Sequence, residues 1–473
     1  MVAPKQTPML TLSSHPEWIA LRDRALEIAR ANMETPKPTW RPQLTCMPGQ
    51  GTIWQWDSCF MALYAGYTPD GLNGLGNLDN LYAMQRDDGY FGMAYNIERE
   101  ESLWGERINP PLYAWVEWLY ARRTGDVSRL PRAYPRLVRF FRWIQANRRR
   151  KNGLYWFEDT GSSGMDNSPR SGYSAYQLQG SDVCFVDLSC QQVLSARCLA
   201  EIARALGRDD EAAGFAREAD ELAALVDDLM WSDTTGFYHD VFVSTNNKLA
   251  NKTAAAFWAI VAGVATGGHL ERLVAHLTDP ATFGARHPVP SLSRDDPNFM
   301  PEGGYWLGSV WAPTNYMIVR GLRAVGERAL ARDIAARHLA CMAELLGTAD
   351  YDSVWECYSP DLAAPARLKN GNLVRPNFVG WSGLGPFVML PEDILGLDLD
   401  ALARRVDWHL GETGAQGLSE IPFNGGTVDL ALDVADDFSF SGRVRSDTPL
   451  TLRVFTPDGR AAHYEIAPGE NIL

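Results

Sequence analysis

The chain has 473 residues, 46% hydrophobic and 22% charged, the balance of an ordinary globular protein with enough apolar residues for a sizeable core. Its length allows two or three domains, or one large one that absorbs most of it. The net charge of −14 argues against nucleic acid or an anionic membrane as the main partner, because both bind a basic face, and it says little about a neutral ligand.

Met1 to Ser14 lacks a basic stretch followed by an apolar one, and no window reaches about 18 apolar residues. Neither a leader nor a membrane span is expected, which makes a cytoplasmic location the default, or a periplasmic one if a leader has been removed. In chain order, apolar residues recurring at intervals of three and four predict helices near 16–33, 57–67, 74–86, 111–123, 129–149, 187–206, 209–230, 252–265, 309–325, 327–346 and 380–390. Asp209 and Asp210 read as an N-cap and an acidic first turn. Helices in this number, joined by loops of alternating length, suit a helical toroid. From about residue 417 the period changes to two: Val428, Leu430, Leu432 and Val434 alternate with polar residues, and Leu450, Leu452 and Val454 do so again before a Thr456-Pro-Asp-Gly459 turn. Three or four antiparallel strands are expected there, giving a helical domain over 1–408 and a β-rich segment over 409–473.

The seven cysteines, at 46, 59, 184, 190, 198, 341 and 357, are odd in number and lack a CxxC, so no disulfide framework or zinc spacing is evident; Cys190 and Cys198 read as buried small hydrophobes. Six long segments between helices, 34–56, 87–110, 150–186, 231–250, 279–308 and 347–379, are rich in Trp, Asp, Asn and Gly. Loops of this length on a rigid scaffold commonly carry function.

Five motifs in or beside these loops could carry chemistry. Gly161-Ser-Ser-Gly-Met-Asp166-Asn-Ser-Pro-Arg170 sets a carboxylate beside Trp156 and Met165, where partial burial would suit a general acid; taken alone, an Asx-turn explains it as well. Ser353-Val-Trp355-Glu356-Cys-Tyr358-Ser-Pro360 flanks a Glu with aromatics, which fits a water-activating base or a buried ion pair with Arg. Trp54-Gln-Trp56-Asp57-Ser-Cys59 places an Asp at a helix start behind two tryptophans, either as an N-cap or as an acceptor for sugar hydroxyls between stacking rings. Gly303-Gly-Tyr305-Trp306-Leu307-Gly-Ser-Val-Trp311-Ala-Pro-Thr-Asn315-Tyr316 is a glycine-rich entry to a helix with an aromatic run. Gln85-Arg86-Asp87-Asp88-Gly89, continuing to Asn96, offers polar groups for hydroxyl pairs, or a turn. Two carboxylates distant in sequence, both in such loops, are the minimum equipment for glycoside hydrolysis.

The order of W-x-W-D-S, S-G-M-D-N-S-P-R, Y-W-x-G-x-V-W-x-x-x-N-Y, W-E-x-Y-x-P and G-W-S-G-L-G closely resembles glycoside hydrolase family 63, with its mannosylglycerate and glucosylglycerate hydrolase relatives, and more distantly trehalase. The resemblance runs from Trp54 to Leu390 and omits the β tail. It implies an (α/α)6 barrel and hydrolysis of an α-linked glucoside or mannoside with inversion, Asp166 being the general acid and Glu356 the general base, ~6.5–9.5 Å apart; the pocket that closing loops would form suggests exo action on short substrates. It also implies that Asp57 binds sugar hydroxyls and that Trp54, Trp56, Trp306, Trp311 and Trp381 wall the pocket, with Arg170, Tyr305, Asn315 and Tyr358 as second-tier substrate contacts; Trp355 and Gln85 join the binding candidates from their own motifs. One position departs: Leu307 stands where family members usually carry Arg, which weakens the case for a charged aglycone; Arg86, Arg107 or Arg367 are candidates to replace it.

The rival readings are fewer. A sugar epimerase or isomerase on the same toroid needs paired His bases, and none of the eight His falls within the five blocks. An inverting phosphorylase needs a basic phosphate pocket, and a non-catalytic carbohydrate-binding protein has no need of both carboxylates. No HExxH or clustered His/Asp set appears, so no metal and no cofactor are expected; the expected partner is a small carbohydrate.

Overall fold

The computed structural model describes residues 8–69, 71–171 and 182–473. The chain is mainly helical up to residue 394 and β-structured beyond it. The helices are α1 (Pro16–Ala31), α2 (Gln55–Ala62), α3 (Leu75–Ala83), α4 (Tyr113–Thr124), α5 (Leu130–Arg148), α6 (Val186–Ala205), α7 (Asp209–Met230), α8 (Trp258–Val261), α9 (Gly267–Thr278), α10 (Ala312–Ala324), α11 (Arg328–Ala343) and α12 (Gly385–Ile394, wound as a π-helix).

Two kinds of helix alternate. Every residue of α2 and α12 is buried, as is nearly every residue of α6 and α10. A helix covered on all sides belongs to an interior. By contrast α7 buries only Ala212, Phe215, Ala219, Ala223, Val226 and Met230, a single stripe at three- and four-residue spacing. The buried helices touch in a circuit: α2 packs on α4, α4 on α6, α6 on α8, α8 on α10, α10 on the turn Trp381–Gly383, and that turn on α2. The amphipathic helices lie outside them, α3 on α2, α5 on α4, α7 on α6 and α11 on α10, while α1 covers α11 and α12.

Most predicted helices form within a few residues of their expected ends. Asp209 and Asp210 both lie inside the first turn of α7, with Arg208 at the cap. The segment expected as a helix over 252–265 is a 3-10 turn, Ala254–Phe257, followed by the short α8, and Gly263 in a left-handed conformation ends it. Helix α9 has no counterpart in the sequence prediction because it starts on Gly267 and Gly268, the weakest ordinary helix formers.

The tail is larger than three or four antiparallel strands. One sheet orders Leu10–Leu12, Gly414–Phe423, Gly426–Val434, Phe440–Ser446 and Gly469–Ile472, all antiparallel. The other orders Leu397–Asp400, Arg405–His409, Leu450–Phe455 and Ala461–Ile466, and its central pair, Arg405–His409 with Leu450–Phe455, is parallel. Strands therefore begin at Leu397, and the 408/409 division falls inside one of them. The alternation read in the sequence is real: Val428, Leu430, Leu432 and Val434 are buried. Helix α4 packs on both sheets, and Glu392 of α12 gathers Arg123 at 2.7 Å, Arg320 at 3.1 Å and Arg323 at 3.1 Å, joining α4, α10 and α12. Among the described residues no helix is long and apolar enough to cross a membrane.

Candidate active site

A cavity of about 140 Å³ is lined by residues drawn mostly from the start of α2 and from the loops that lead into the buried helices. Trp54, Trp56 and Asp57 come from the start of α2, Asn109 precedes α4, and Asp166 lies in the loop before α6. Tyr305 and Trp306 precede α10, while Phe378 and Trp381 precede α12. Glu356 and Arg375 come from the segment before Phe378, and Met47 and Met93 complete the wall. Five of the six long loops thus reach the pocket; 231–250 does not, and residues 172–181 of the third lie outside the described residues.

The loop carrying Asp166 is fixed by its own polar groups. Asp159 Oδ1 accepts the Ser162 N–H at 2.8 Å, Arg107 pairs with Asp159 at 3.0 Å, and Asn109 Nδ2 donates to the Ser162 carbonyl at 3.0 Å. Thr160 Oγ1 donates to the carbonyl of Asp166 at 2.5 Å. Gly164 is left-handed (φ +78), and a Cβ there would lie 3.2 Å from the Trp56 indole, so a glycine lets the loop cross that ring closely. The side chain of Asp166 is half-buried at the pocket.

Glu356 is buried. Its N–H donates to the Arg375 carbonyl at 2.9 Å, and its own carbonyl accepts from Trp381 Nε1 at 2.9 Å and Ser382 Oγ at 3.2 Å. The carboxylate accepts the Tyr305 hydroxyl at 3.0 Å on Oε1 and the Arg375 N–H at 3.4 Å on Oε2. Burial pushes its pKa above the ordinary carboxylate value, against the Arg375 charge and the Tyr305 bond, which both lower it. The buried ion pair that the sequence left open is replaced by a hydroxyl, a backbone N–H and a guanidinium acting through its field.

Asp57 sits inside the first turn of α2, whose cap is Trp54. Its carboxylate accepts the Cys46 thiol at 2.8 Å, and burial raises its pKa to about 6. One pocket therefore holds three carboxylates, with aromatic rings between them. Among the described residues no group of three or more His, Cys, Asp or Glu side chains is arranged to hold a metal ion.

Residues 50–375 match the model of the mannosylglycerate hydrolase MGH1-like glycoside hydrolase domain. The chain belongs to this glycoside hydrolase family. It is 25% identical to an uncharacterized protein of Borreliella burgdorferi, across 78% of this chain and 77% of that one. A mannosylglycerate hydrolase of Thermus thermophilus is 34% identical over 24% of this chain and 27% of its own. The crystal structure of a GH63 mannosylglycerate hydrolase from Thermus thermophilus in complex with glucose shares the fold, with a TM-score of 0.63 and 24% identity over 78% of this chain and 99% of that one.

Within this glycoside hydrolase, Trp54, Trp56, Asp57, Asp166, Tyr305, Trp306, Glu356 and Trp381 are brought together as the sequence suggested. Six other candidates do not line the pocket. Gln85 donates its amide to the carbonyls of Gly89 and Arg136, each at 2.9 Å, and accepts from Arg139 at 2.8 Å. Arg170 is buried between Asp187 at 2.6 Å and Asp240 at 2.7 Å, a structural pairing in place of the expected substrate contact. Asn315 binds the Pro288 carbonyl at 2.7 Å and the Val289 N–H at 2.9 Å. Trp311 stacks behind Trp306 at 4.0 Å, one layer from the pocket. Trp355 donates to the Tyr351 carbonyl at 3.0 Å, and the Tyr358 hydroxyl accepts the Trp355 N–H at 3.1 Å.

Leu307 is buried, and none of the three arginines considered as replacements for the family's Arg lines the pocket. Arg86 pairs with Asp88 and Glu106, Arg107 with Asp159, and Arg367 with the Gly371 carbonyl. The cation at the site is Arg375, missed because a lone Arg in a loop carries no pattern. Cys46, Met47, Met93, Asn109 and Phe378 were missed too; only the position of these residues in long loops pointed toward them.

Proposed function

We propose that this protein is an inverting, exo-acting α-glycosidase that hydrolyses a small α-linked glucoside or mannoside, with Asp166 as general acid and Glu356 as general base. The observation that carries the reading is the convergence of these two carboxylates on one pocket, with Tyr305 between them: both fields raise the pKa of its hydroxyl, after burial itself. The proposed fold is an (α/α)6 barrel with the β sheets as an appendage, supported by the closed circuit of six buried segments with partner helices outside.

In the proposed reaction Asp166 gives its proton to the glycosidic oxygen as the C1–O bond breaks. Glu356 takes a proton from a water whose oxygen bonds C1 from the opposite face, so an α-glycoside yields the β-anomer. Burial serves the base: a carboxylate with a raised pKa holds a proton more strongly once it has taken it, and the Tyr305 and Arg375 interactions keep it ionised beforehand. Asp57 accepts sugar hydroxyls, and Trp54, Trp56, Trp306 and Trp381 face the ring. A cavity of about 140 Å³ suits a terminal sugar better than the interior of a polymer.

A second compartment shares Asp166, Tyr305, Glu356 and Arg375 and adds Asn167, Lys369 and Asn370 over Leu368, Leu373 and Val374. Its place beside the acid fits the leaving group, and its two cations suit an anionic aglycone such as the glycerate in the names of the relatives.

The test is proton NMR of hydrolysis across mannosylglycerate, glucosylglycerate, trehalose, kojibiose, nigerose, maltose and aryl α-glycosides. The β-anomer is expected first, with loss of turnover in Asp166→Asn and Glu356→Gln. First release of the α-anomer would overturn the assignment of both carboxylates.

A further inference from the structure

Asn167 follows the proposed acid in the chain, yet its side chain bonds to the opposite loop. Its Nδ2 donates to the Gly304 carbonyl at 2.9 Å, and its Oδ1 accepts the Trp306 N–H at 2.8 Å. These two bonds grip the peptide groups on either side of Tyr305. Between them Tyr305 has φ +68, a left-handed conformation that costs a residue with a Cβ and persists only where its surroundings hold it. Gly303 (φ +112) and Gly304 (φ +57) bring the chain to that point, and a Cβ on Gly303 would lie 2.8 Å from Ala366. Held this way, Tyr305 rests edge-on against Trp311 at 4.9 Å and aims its hydroxyl at Glu356 Oε1, 3.0 Å away.

We infer that Asn167 is a positioning residue that fixes Tyr305, and through it the Glu356 carboxylate, relative to Asp166. This rests on the proposed roles of the two carboxylates. Asn is the shortest side chain that presents a donor and an acceptor side by side, and the backbone at 304–306 offers one carbonyl and one N–H. Asp in its place keeps the acceptor but sets a carboxylate against the Gly304 carbonyl; Ala keeps neither. In hydrolysis by inversion the acid and base must be spaced for a substrate and a water between them. The Asn167 clamp, Tyr305 and Glu356 form a continuous link from one carboxylate's loop to the other carboxylate.

The link has a titration signature. Glu356 faces Tyr305 from this loop, Arg375 from the segment its backbone pairs with, and Asp57 with Cys46 from the α2 side; among the described residues Asp166, Lys369 and Cys357 also lie around it. Of these, Tyr305 donates directly to the carboxylate and favours its ionised form. Losing the grip on Tyr305 should therefore raise the Glu356 pKa while leaving the other groups in place.

The experiment follows the Glu356 carboxyl by carbon NMR titration in the full chain, comparing wild type, Tyr305→Phe, Asn167→Ala and the uncharged Asn167→Ser, with kinetics alongside. Asn167→Ala is expected to raise the Glu356 pKa in the same direction as Tyr305→Phe, and the double variant to add little to Tyr305→Phe alone. kcat should fall about 10–100-fold with KM within about 3-fold, the pattern of lost transition-state geometry. A Glu356 pKa unchanged in folded Asn167→Ala overturns the inference, as does a double variant whose shift is the sum of the two singles. Should Asn167→Ala fail to fold, Asn167→Ser, which is smaller and adds no charge beside Glu356, carries the same test. The titration needs no substrate, so it separates this inference from the proposed function: a chain that hydrolyses no α-glycoside sinks the latter and still answers whether Asn167 governs Glu356.

Discussion

The Cys46 thiol donates to Asp57 Oδ1 at 2.8 Å, deep beside the pocket. Burial pushes the thiol pKa well up, so it remains protonated and able to donate at neutral pH. The bond opposes the rise that burial imposes on Asp57. Cys46→Ala should therefore raise the Asp57 pKa above about 6 and weaken the hold on sugar hydroxyls proposed for it. A loss of about 1 kcal/mol, roughly five-fold in KM, is the expected scale near pH 6, with partial recovery in Cys46→Ser. Equal KM values for wild type and Cys46→Ala across pH 5–8 would remove Cys46 from the site.

The raised carboxylates also set how stability depends on pH. Asp57 binds its proton up to about pH 6 in the folded state, against an ordinary value of 3.8. The folded state therefore holds the proton more tightly than the unfolded one. Its contribution is fully present below the ordinary value and is lost as pH rises through about 6. Glu356 acts in the same direction. Asp57→Asn, uncharged at every pH, should gain stability over wild type at pH 8, by on the order of 1–3 kcal/mol, and gain little at pH 4. Urea denaturation at the two pH values measures this; equal gains at both would contradict it. Activity should fall in the same variant if Asp57 is the sugar-hydroxyl acceptor proposed above.

What the sequence made legible depended on whether a residue's partners were near it in the chain. Helix α7 could be read to its ends because its apolar stripe and acidic first turn lie within its own residues. The strand alternation of 428–434 was visible for the same reason, but not the parallel pairing of 405–409 with 450–455, which no local pattern encodes. Asp166 and Glu356 stood out through their motifs and converge on one pocket. Arg170, in the same motif as Asp166, reads in the sequence as a secondary substrate contact, and only the fold shows Asp187 and Asp240 enclosing it. Cys46 carries no signal in the sequence because its contact with Asp57 spans a turn and a helix start.

Arg170 provides a direct check of that distinction. It is buried with two carboxylates, and three of its guanidinium nitrogens carry bonds to them of 2.6–3.0 Å. Removing the cation leaves Asp187 and Asp240 buried without their partner, a cost of about 3–5 kcal/mol. Arg170→Met should lower the denaturant midpoint accordingly, while the folded fraction keeps a KM within about two-fold of wild type. A large rise in KM at unchanged stability would return Arg170 to the substrate site.

Gly164 tests how closely the loop of the proposed acid is tied to the Trp56 ring. Its left-handed φ of +78 costs a residue with a Cβ about 1–2 kcal/mol. The added methyl would also meet the Trp56 indole at 3.2–3.5 Å, so ring or loop must give by a few tenths of an ångström. Asp166 is two residues further on, and its carbonyl is fixed by Thr160, so the loop has little freedom to absorb the change without moving the carboxylate. Gly164→Ala should lose about 1–2 kcal/mol of stability and about ten-fold or more in kcat, because displacement of an acid by a fraction of an ångström degrades proton transfer. Trp56→Phe, which shrinks the ring, should restore part of the kcat lost in Gly164→Ala if the clash with the indole is the cause. No restoration in the double variant would assign the loss to the backbone conformation alone, and wild-type kcat in Gly164→Ala would show that the loop does not transmit the change to Asp166.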